Sequence, residues 1–392
     1  MRILGLFLNP TIRTGGHRRY LELLSGLAAK GHEVLVLMDE DLAIAPARFT
    51  RLALRVPAKA RKKLLPYSVL FLLATRRALP GLKGILGKID YILIFGEQHF
   101  LCARFLQPRL EAGLFFAYRS DWIQRSISIL KAGYESPAGR IALRTRILTF
   151  RAYESLIARR ADIITFQSEA SRADFLLRAP GAREKTVVIR SDISPPHFTR
   201  EHQGANRSRS ARKLIYVGIL GESKGITYLL DAFAAARARG IADITLDVLG
   251  RGPNLSRLEM QTRRLGIGDA VTFRGQVSDP FPWMIQADLM VFPTLFDGYP
   301  NVVLEALHVG LPVIASRVGG IPDMLRHDEL LFPPIDSTAI ADRLERCVRD
   351  PAFYIHLRAL CAERLAYFHF DWPGAWEKVM KARLDQGMGP PT

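Results

Sequence analysis

Short apolar runs alternate with longer amphipathic stretches along the first part of the chain. The runs RILGLFL at residues 2–8 and VLVLM at 34–38 have the length and composition of buried strands. Between them, TGGHRRYLELLSGLAAKG combines a glycine turn with apolar residues at helical spacing, and Gly31 marks the end of the helix. This βαβ pattern continues in further predicted strands at 91–95, 114–118 and 162–166, with an arginine-rich helix at 144–160.

The same alternation resumes after a polar interruption. Residues 199–213, TREHQGANRSRSARK, are basic and lack hydrophobic periodicity, which predicts an interdomain linker. From Lys213 onward, a strand, a glycine turn and an amphipathic helix recur in KLIYVGILGESKGITYLLDAFAAARARG. Further strands are predicted at 244–250, 270–275, 288–293 and 312–316.

These patterns predict an α/β protein built from two doubly wound, Rossmann-like domains that face a central cleft at the carboxyl ends of their strands. The N-terminal domain is expected to span residues 1–198 and the C-terminal domain residues 214–370, with the linker at 199–213 between them. A last helix at about 371–392 is expected to pack back on the N-terminal domain.

Positive charge is concentrated in the N-terminal half of the chain. The formal net charge is +17, and residues 1–192 hold 32 lysines and arginines against 16 acidic side chains. Residues 42–89 contain 11 basic side chains and no acidic one, around the apolar stretch LLPYSVLFLLA at 64–74. Because a basic amphipathic segment can lie on an anionic bilayer, this pattern favours peripheral membrane contact. A helix pair with a basic outer face, or an anionic partner other than a membrane, is the alternative.

The remaining composition narrows the class of protein. Cys102, Cys347 and Cys361 are far apart and share no disulfide or zinc-site spacing, which favours a reducing cytoplasm. The N-terminal residues lack the pattern of a signal peptide, and no segment reaches the ~20 apolar residues of a membrane span. We therefore expect a cytoplasmic protein whose basic segment would hold it at the inner face of the membrane.

Two glycine turns that follow predicted strands are candidate phosphate sites. In NPTIRTGGHRRY, Gly15 and Gly16 precede a helix, where backbone N–H groups can approach a phosphate closely; a simple turn is the alternative. In VGILGESKG, Lys224 stands beside Gly225 at a helix start, so its ammonium group can neutralise a diphosphate; a solvated lysine is the alternative. Neither turn matches GxGxxG or a P-loop, so no dinucleotide cofactor is expected.

The stretch FDGYPNVVLEALHVGLPVIAS, residues 296–316, places two carboxylates around a predicted helix start. We expect Asn301 to cap this helix, so that the N–H groups of residues 302–304 face a diphosphate. Glu305 is expected to accept hydrogen bonds from the diol of a ribose, and Asp297 from hydroxyl groups of a sugar. A helix whose Glu305 only complements the helix dipole is the alternative, but it does not account for Asp297.

This sequence resembles the retaining glycosyltransferases of family 4, which have the GT-B fold. The resemblance is most specific in DGYPNVVLE, where the family has two glutamates separated by seven residues and this chain has Asp297 and Glu305. It is close over residues 214–335 and looser over 1–40 and 114–192. The resemblance implies that the donor is contacted by Gly15, Gly16, Gly218, Lys224, Arg251, Asp297, Gly298, Tyr299, Pro300, Asn301, Val302 and Glu305.

Two positions depart from the family pattern. Ile219 stands where the family usually has an arginine, so one phosphate-neutralising charge is missing or comes from elsewhere. Asp297 replaces a glutamate and shortens the side chain by one C–C bond, roughly 1.5 Å. Altered sugar choice, reduced activity and a catalytically inactive relative are the alternatives that these departures leave open.

The resemblance implies transfer of a hexose-type sugar from a nucleoside-diphosphate sugar with retention of configuration. Lys224, the helix start near Asn301 and the Gly16 N–H group would stabilise the leaving nucleoside diphosphate, and Asp297 would act at the sugar. No metal is expected, because these groups would do the work of a cation, and the nucleotide sugar is a substrate rather than a cofactor. On the acceptor side, His99, Glu97 and Asp121 follow predicted strands and are candidate catalytic residues, each with a structural alternative.

The acceptor is expected to bind the N-terminal domain. Its basic segment at 42–89 suggests a glycan or a lipid-linked acceptor, such as a polyprenyl-diphosphate sugar, in the synthesis of cell-surface polysaccharide or glycolipid. A soluble acidic oligosaccharide suits the same charge. A GT-B-fold epimerase or phosphorylase, and a non-catalytic protein that binds an anionic ligand or nucleic acid, are competing hypotheses. No nucleic-acid partner is expected, because the chain shows no recognised binding module and no aromatic stacking stripe.

Overall fold

The computed structural model describes residues 1–7, 15–42, 44, 47–56, 67–133, 136–192 and 210–386. The packing of the chain divides it into two compact units. The first comprises Met1–Ser120, Arg151–Arg190 and Asp371–Thr392, and the second comprises Asp121–Phe150 and Ser191–Phe370. Residues 199–209 of the predicted linker lie outside the described residues.

The first unit contains a seven-stranded parallel sheet. Its strands are β1 (Arg2–Phe7), β2 (Glu33–Asp39), β3 (Thr50–Leu54), β4 (Tyr91–Phe95), β5 (Gly113–Ala117), β6 (Ile163–Phe166) and β7 (Thr186–Val188), in the order β3-β2-β1-β4-β5-β6-β7. The runs YILIF of β4 and GLFFA of β5 are buried along their whole length, as expected for parallel strands covered on both faces. All five strands predicted for this part of the chain are present within one residue of their predicted bounds, whereas β3 and β7 were not predicted.

Helices cover both faces of this sheet. They are α1 (Gly15–Ala29), α2 (Tyr67–Leu86), α3 (Phe100–Leu110), the end of α5 (Pro137–Arg160), α6 (Glu169–Arg178) and α14 (Trp372–Asp385). The last of these is the helix predicted from DWPGAWEKVMKARL. It packs on the first unit through Trp376, whose ring stacks on Phe95 at 5.6 Å, and through an ion pair of 2.5 Å between Asp371 and Lys30.

Helix α2 contains residues 67–74 of the apolar run at 64–74, for which the sequence favoured membrane contact. Leu70 and Phe71 are buried in the core of the first unit, and Leu73 is 50% exposed. The outer face of the helix carries the exposed Arg76 and Arg77. Residues 43, 45–46 and 57–66 of the predicted basic segment lie outside the described residues. In the described part, Leu70 and Phe71 of the apolar run therefore belong to the core, while Arg76 and Arg77 face solvent.

The second unit contains a six-stranded parallel sheet with the order β10-β9-β8-β11-β12-β13. Its strands are β8 (Lys213–Val217), β9 (Thr245–Leu249), β10 (Val271–Gly275), β11 (Leu289–Phe292), β12 (Val313–Ser316) and β13 (Leu331–Phe332). Its helices are α4 (Trp122–Ala132), the first part of α5, α7 (Ile226–Ala238), α8 (Leu255–Arg264), α9 (Phe281–Gln286), α10 (Asn301–His308), α11 (Ile321–Leu325), α12 (Ser337–Arg349) and α13 (Pro351–Phe368).

The strand order of the second sheet places its two most informative loops side by side. Strands β8 and β11 are neighbours in the sheet but are separated in sequence by β9 and β10, so the order reverses between them. Loops at the carboxyl ends of such a pair diverge to opposite faces and leave room for a ligand. The turn with Lys224 follows β8, and the loop with Asp297 follows β11.

None of the helices in the described ranges is long and apolar enough to cross a membrane. The three cysteines are buried as free thiols, and burial raises the pKa of each to about 12. They therefore serve as small core residues at neutral pH.

Candidate functional site

The loop after β8 and the loop after β11 are joined by backbone contacts. The Leu295 N–H donates to the Ser223 carbonyl oxygen at 2.8 Å. Gly225 has φ of 63°, and a Cβ atom at this position would lie 2.0 Å from the Pro293 carbonyl oxygen. Only glycine allows both this backbone conformation and this close approach. The glycine at the turn therefore brings Lys224 to the Asp297 loop.

Lys224 and Asp297 form an ion pair at this junction. The Lys224 Nζ lies 2.5 Å from the Asp297 Oδ2, and both side chains are about one-fifth exposed, at 19% and 20%. The ammonium group also lies 5.5 Å from the centre of the Phe292 ring at the end of β11. The sequence predicted separate roles for these two residues, and the structure places them in direct contact.

The second oxygen of Asp297 organises the loop before α10. Its Oδ1 accepts a hydrogen bond from the Tyr299 N–H at 3.3 Å, and its carbonyl oxygen accepts one from the Gly320 N–H at 3.2 Å. Tyr299 and Pro300 are buried, and Gly298 is half-buried. The Asp297 carboxylate is therefore held in one orientation by partners at both of its oxygens.

The prediction that Asn301 caps the helix is wrong. The cap is Pro300, which has an extended backbone with φ of −69° and ψ of 117°, and Asn301 is the first helical residue. The reason is that the Pro300 carbonyl accepts from the Val303 N–H at 3.2 Å, so the helix begins one residue earlier than predicted. The Val303 N–H is consequently not open to a ligand. The Asn301 Oδ1 is buried and has no hydrogen-bond partner among the described residues.

Glu305 lies one turn into α10, on the same helix as Val302. Both side chains are half-buried, whereas Val303 and Leu304 pack into the core. Val302 and Glu305 therefore share a partly exposed face of α10, and the sequence assigned both to the donor.

The loop GRGP after β9 is bound to the turn after β8. The Leu220 N–H donates to the Arg251 carbonyl at 3.0 Å, and the Gly218 N–H donates to the Leu249 carbonyl at the same distance. At Gly250, a Cβ atom would lie 1.8 Å from the Gly218 carbonyl oxygen, so the two loops can meet only through glycine. The Arg251 side chain is exposed. Gly218 and Arg251 are thus brought next to the Lys224 turn, and their contact with the donor stays a prediction.

The glycine pair of the first unit is described only in part. Helix α1 begins at Gly15, and Gly16 is half-buried in its first turn. The loop between β1 and this helix, residues 8–14, lies outside the described residues. The proposed phosphate contact of Gly15 and Gly16 stays a prediction.

His99 lies inside the first unit. Its side chain is 1% exposed, its Nδ1 lies 3.4 Å from the Gly96 carbonyl oxygen, and its ring meets Tyr20 edge to face at 6.2 Å. Burial lowers the pKa of His99 to about 4, so the ring is neutral at physiological pH. This environment favours the structural alternative for His99 over the catalytic role.

Asp121 caps a helix. Its Oδ1 accepts from the Gln124 N–H at 2.8 Å, and its side chain is 2% exposed at the start of α4. Glu97, the other acceptor-side candidate, lies in a 3-10 turn. The Glu97 carbonyl oxygen accepts a hydrogen bond from the Tyr153 hydroxyl at 2.8 Å. The capping contact favours the structural alternative for Asp121.

Two residues near the site were missed by sequence reasoning. Thr294 is fully buried, and its hydroxyl lies 3.0 Å from the Ser223 carbonyl oxygen, so it supports the contact between the two loops. Arg125, on α4, is half-buried and lies within electrostatic range of Asp297. A polar residue two positions after the buried strand β11 was a signal for Thr294. No local pattern distinguished Arg125 from the other arginines around it.

Models of known protein families match both halves of the chain. Residues 14–191 match the glycosyl transferase 4-like domain, and residues 211–350 match the glycosyl transferases group 1 domain. The second match contains Lys224, Asp297 and Glu305. The two domain types were expected from the resemblance in the sequence.

Individual relatives are similar to parts of the chain. The alpha-D-kanosaminyltransferase of Streptomyces kanamyceticus is 31% identical over 157 residues, which is 39% of each chain. The matched stretch thus spans about two-fifths of that relative's length.

Solved structures match over nearly the whole chain. The sucrose-phosphate synthase of Thermosynechococcus elongatus has a TM-score of 0.78 at 21% identity and covers 98% of this chain and 99% of its own. The Anabaena protein HepE, solved in complex with UDP-glucose, has a TM-score of 0.68 at 18% identity and covers 98% of this chain and 100% of its own. At these identities the likeness establishes the fold. The chain therefore has the fold and both domain types of the GT-B glycosyltransferases.

Proposed function

We propose that the protein is a retaining glycosyltransferase that moves a hexose-type sugar from a nucleoside-diphosphate sugar to a glycan or lipid-linked acceptor. The observation that carries this proposal is the Lys224–Asp297 ion pair, held beside the first turn of α10 where the strand order reverses. Matched glycosyltransferase domains in both halves of the chain support it, as does the UDP-glucose complex of HepE, a protein of the same fold.

The positive end of the site binds the leaving group in this proposal. The Lys224 ammonium and the amide groups at the start of α10 would contact the diphosphate, whose negative charge grows as the bond to the sugar breaks. Val302 contributes its N–H group here, whereas the Val303 N–H is already used by Pro300. Glu305 would accept hydrogen bonds from the ribose hydroxyl groups. These groups supply positive charge without a metal, so the proposed reaction uses none.

Asp297 serves the sugar in the proposed reaction. Its carboxylate is oriented by Lys224 and by the Tyr299 N–H. The lone pairs that these contacts do not use can accept hydrogen bonds from the sugar. Because the side chain is an aspartate where family 4 has a glutamate, the sugar or its pose would differ from that of the family. A negative charge at this position also favours the positive charge that develops on the sugar in the transition state.

The acceptor side of the proposal rests on charge. The basic outer face of α2, with Arg76 and Arg77, would contact an anionic membrane, and the acceptor would be presented there as a glycan or lipid-linked sugar in cell-surface polysaccharide or glycolipid synthesis. Because Leu70 and Phe71 are buried and most of the other described residues of the apolar run are half-buried, this contact would be mainly electrostatic. A cytoplasmic protein bound to the inner face of the membrane is consistent with this proposal.

The experiment that tests the proposed function is a turnover screen with UDP-, GDP- and ADP-sugars, followed by NMR analysis of the products. Lys224→Ala and Glu305→Gln are expected to abolish turnover of the sugar that the wild type uses. Lys213→Ala is a matched control, because Lys213 is exposed at the opposite end of β8. A product with the donor's anomeric configuration on an acceptor supports the proposal. Epimerised or free sugar as the only product would instead identify an epimerase or a phosphorylase.

A further inference from the structure

A cavity of about 350 Å³ lies beside the turn after β8, within the second unit. One wall is formed by the turn itself, including Ile219 and Gly221, together with Pro253. The other wall is formed by α4 and the first part of α5, which contribute Arg125 and Arg146. The cavity thus joins apolar walls to two guanidinium groups.

Arg125 is an unusual residue to find in this position. It is half-buried, and within the described ranges its guanidinium group forms no ion pair with a carboxylate. The group lies 4.9 Å from the centre of the Trp122 ring. Its pKa is lowered mainly by burial and further by Arg146, while Asp297 acts in the opposite direction. Since an arginine keeps its charge in proteins, this charge is held in a poorly solvated place beside a second positive charge.

The neighbouring carboxylates are already engaged. Asp297 is paired with Lys224 at 2.5 Å. Glu222, which also lines the cavity, is paired with Arg257 at 3.0 Å. Because these two carboxylates are already paired, the cavity carries an excess of positive charge from Arg125 and Arg146. An anion that enters it would gain two cationic partners and would relieve the repulsion between them.

Ile219 lines the same cavity as the two positively charged arginines, and it is 57% exposed. The resemblance to family 4 implies an arginine at this position, where its charge would neutralise a phosphate. The Ile219 side chain is apolar and cannot do so. Arg125 and Arg146 reach the same cavity from α4 and α5, so the charge absent from the turn is present across from it. A guanidinium group offers a planar set of donors that matches phosphate oxygens.

We propose that Arg125, assisted by Arg146, binds a phosphate group in this cavity and supplies the positive charge that Ile219 does not. This inference rests on the proposed function for its ligand, a phosphate group that belongs either to the donor diphosphate or to a phosphorylated acceptor. Arg125 acts as a binding residue that replaces the missing cation of the turn.

The test is calorimetric titration of the full chain with UDP, GDP, ADP and inorganic pyrophosphate. Arg125→Gln is expected to weaken binding of pyrophosphate, and of the nucleoside diphosphate that binds the wild type best, by about tenfold. Arg146→Gln is expected to have a smaller effect in the same direction. Arg144→Gln is the control, because Arg144 is an exposed arginine on the same helix that does not line the cavity. Circular dichroism and thermal unfolding confirm that each variant is folded.

A second titration distinguishes the two sources of the phosphate. The wild type is saturated with its preferred nucleoside diphosphate and then titrated with inorganic phosphate. Loss of phosphate binding under saturation assigns the site to the donor, whereas persistent, Arg125-dependent binding assigns it to the acceptor. If Arg125→Gln leaves all these affinities within twofold of wild type, the inference is wrong and the proposed function is untouched. Arg125-dependent pyrophosphate binding without affinity for any nucleoside diphosphate would support the phosphate site and contradict the proposed function.

Discussion

The Lys224 Nζ lies 2.5 Å from the Asp297 Oδ2, so the two side chains form an ion pair. In the proposed reaction Lys224 binds the diphosphate and Asp297 contacts the sugar. Lys224 follows β8 and Asp297 follows β11, and the glycine at 225 allows their loops to touch. The pair has no net charge before a donor binds. A diphosphate would therefore compete with Asp297 for the ammonium group. The Asp297 Oδ2 would then be open to a sugar hydroxyl group, while the Tyr299 N–H still orients the carboxylate through Oδ1.

This division of roles predicts different effects of two substitutions. Lys224→Ala is expected to weaken nucleoside-diphosphate binding by about tenfold or more, because it removes a charge-assisted contact to phosphate. Asp297→Asn keeps the acceptor for the Tyr299 N–H and releases the ammonium group, so binding is expected to be equal or tighter while turnover falls by about a hundredfold. Calorimetry for affinity and a transfer assay for turnover check both effects. Parallel losses of affinity in the two variants would contradict separate roles.

The contact between the two loops predicts that Gly225→Ala is strongly destabilising. Alanine at this position would have to keep the left-handed backbone of Gly225, which is unfavourable for a residue with a side chain. Its Cβ atom would also lie 2.0 Å from the Pro293 carbonyl oxygen, so we expect a loss of about 3 kcal/mol in the free energy of unfolding. Gly266→Ala is the matched control, because Gly266 has a φ of 67° and nothing within 4 Å of its Cβ position. It should lose about 1 kcal/mol. Urea unfolding measures both, and equal losses would show that the loop contact is not needed.

Burial of His99 predicts a stability change with pH. Its pKa is lowered to about 4 in the folded protein, from an ordinary value near 6.5, so the unfolded chain binds the proton more readily. The contribution of neutral His99 is therefore complete above pH 6.5 and is lost as the pH falls toward 4. Between pH 7.5 and pH 5 the loss amounts to about 2 kcal/mol.

The variant His99→Asn tests this contribution by urea unfolding at the two pH values. Asparagine keeps a donor for the Gly96 carbonyl but does not titrate, so the loss between pH 7.5 and pH 5 should be smaller by about 2 kcal/mol in the variant. Sugar transfer by the variant at pH 7.5 should stay within a few-fold of wild type. A large drop in turnover with unchanged stability would restore the catalytic hypothesis for His99.

The basic outer face of α2 predicts binding to anionic vesicles. Arg76→Gln with Arg77→Gln is expected to weaken binding to phosphatidylglycerol vesicles by about thirtyfold, since each of the two basic groups near an anionic surface contributes about 1 kcal/mol. Arg263→Gln with Arg264→Gln removes an equally exposed adjacent pair from α8 in the second unit and is the control. Sedimentation with vesicles at two salt concentrations measures the effect. Equal losses in both double variants would mean that only total charge matters.

The fold was predictable because buried parallel strands leave a strong pattern in sequence. The all-apolar runs of β4 and β5 could be located to within a residue. Strand β3 was missed because its residues TRLAL alternate between exposed and buried positions inside a basic stretch. For the apolar run of α2, the pattern favoured membrane contact and left open a helix pair with a basic outer face, because sequence alone does not show which apolar residues pack in the core.

The candidate site was predictable where its residues lie on one loop or follow neighbouring strands. Lys224 and Asp297 were identified by their turns, but their contact depends on the strand order, which no local pattern contains. The helix cap was misplaced by one residue because Pro300 provides the carbonyl for the first turn of α10. Arg125 was missed because it reaches the site from α4, distant in sequence from the turn it complements.

A crystal structure of the protein with the nucleoside diphosphate that binds it best would show whether Lys224 and the start of α10 hold the diphosphate. We expect a phosphate oxygen within about 3.2 Å of both the Lys224 Nζ and an amide nitrogen in the first turn of α10. We also expect the ribose hydroxyl groups to lie within hydrogen-bond distance of the Glu305 carboxylate. A diphosphate bound elsewhere, with the Lys224–Asp297 pair unchanged and the start of α10 without a ligand, would contradict both expectations.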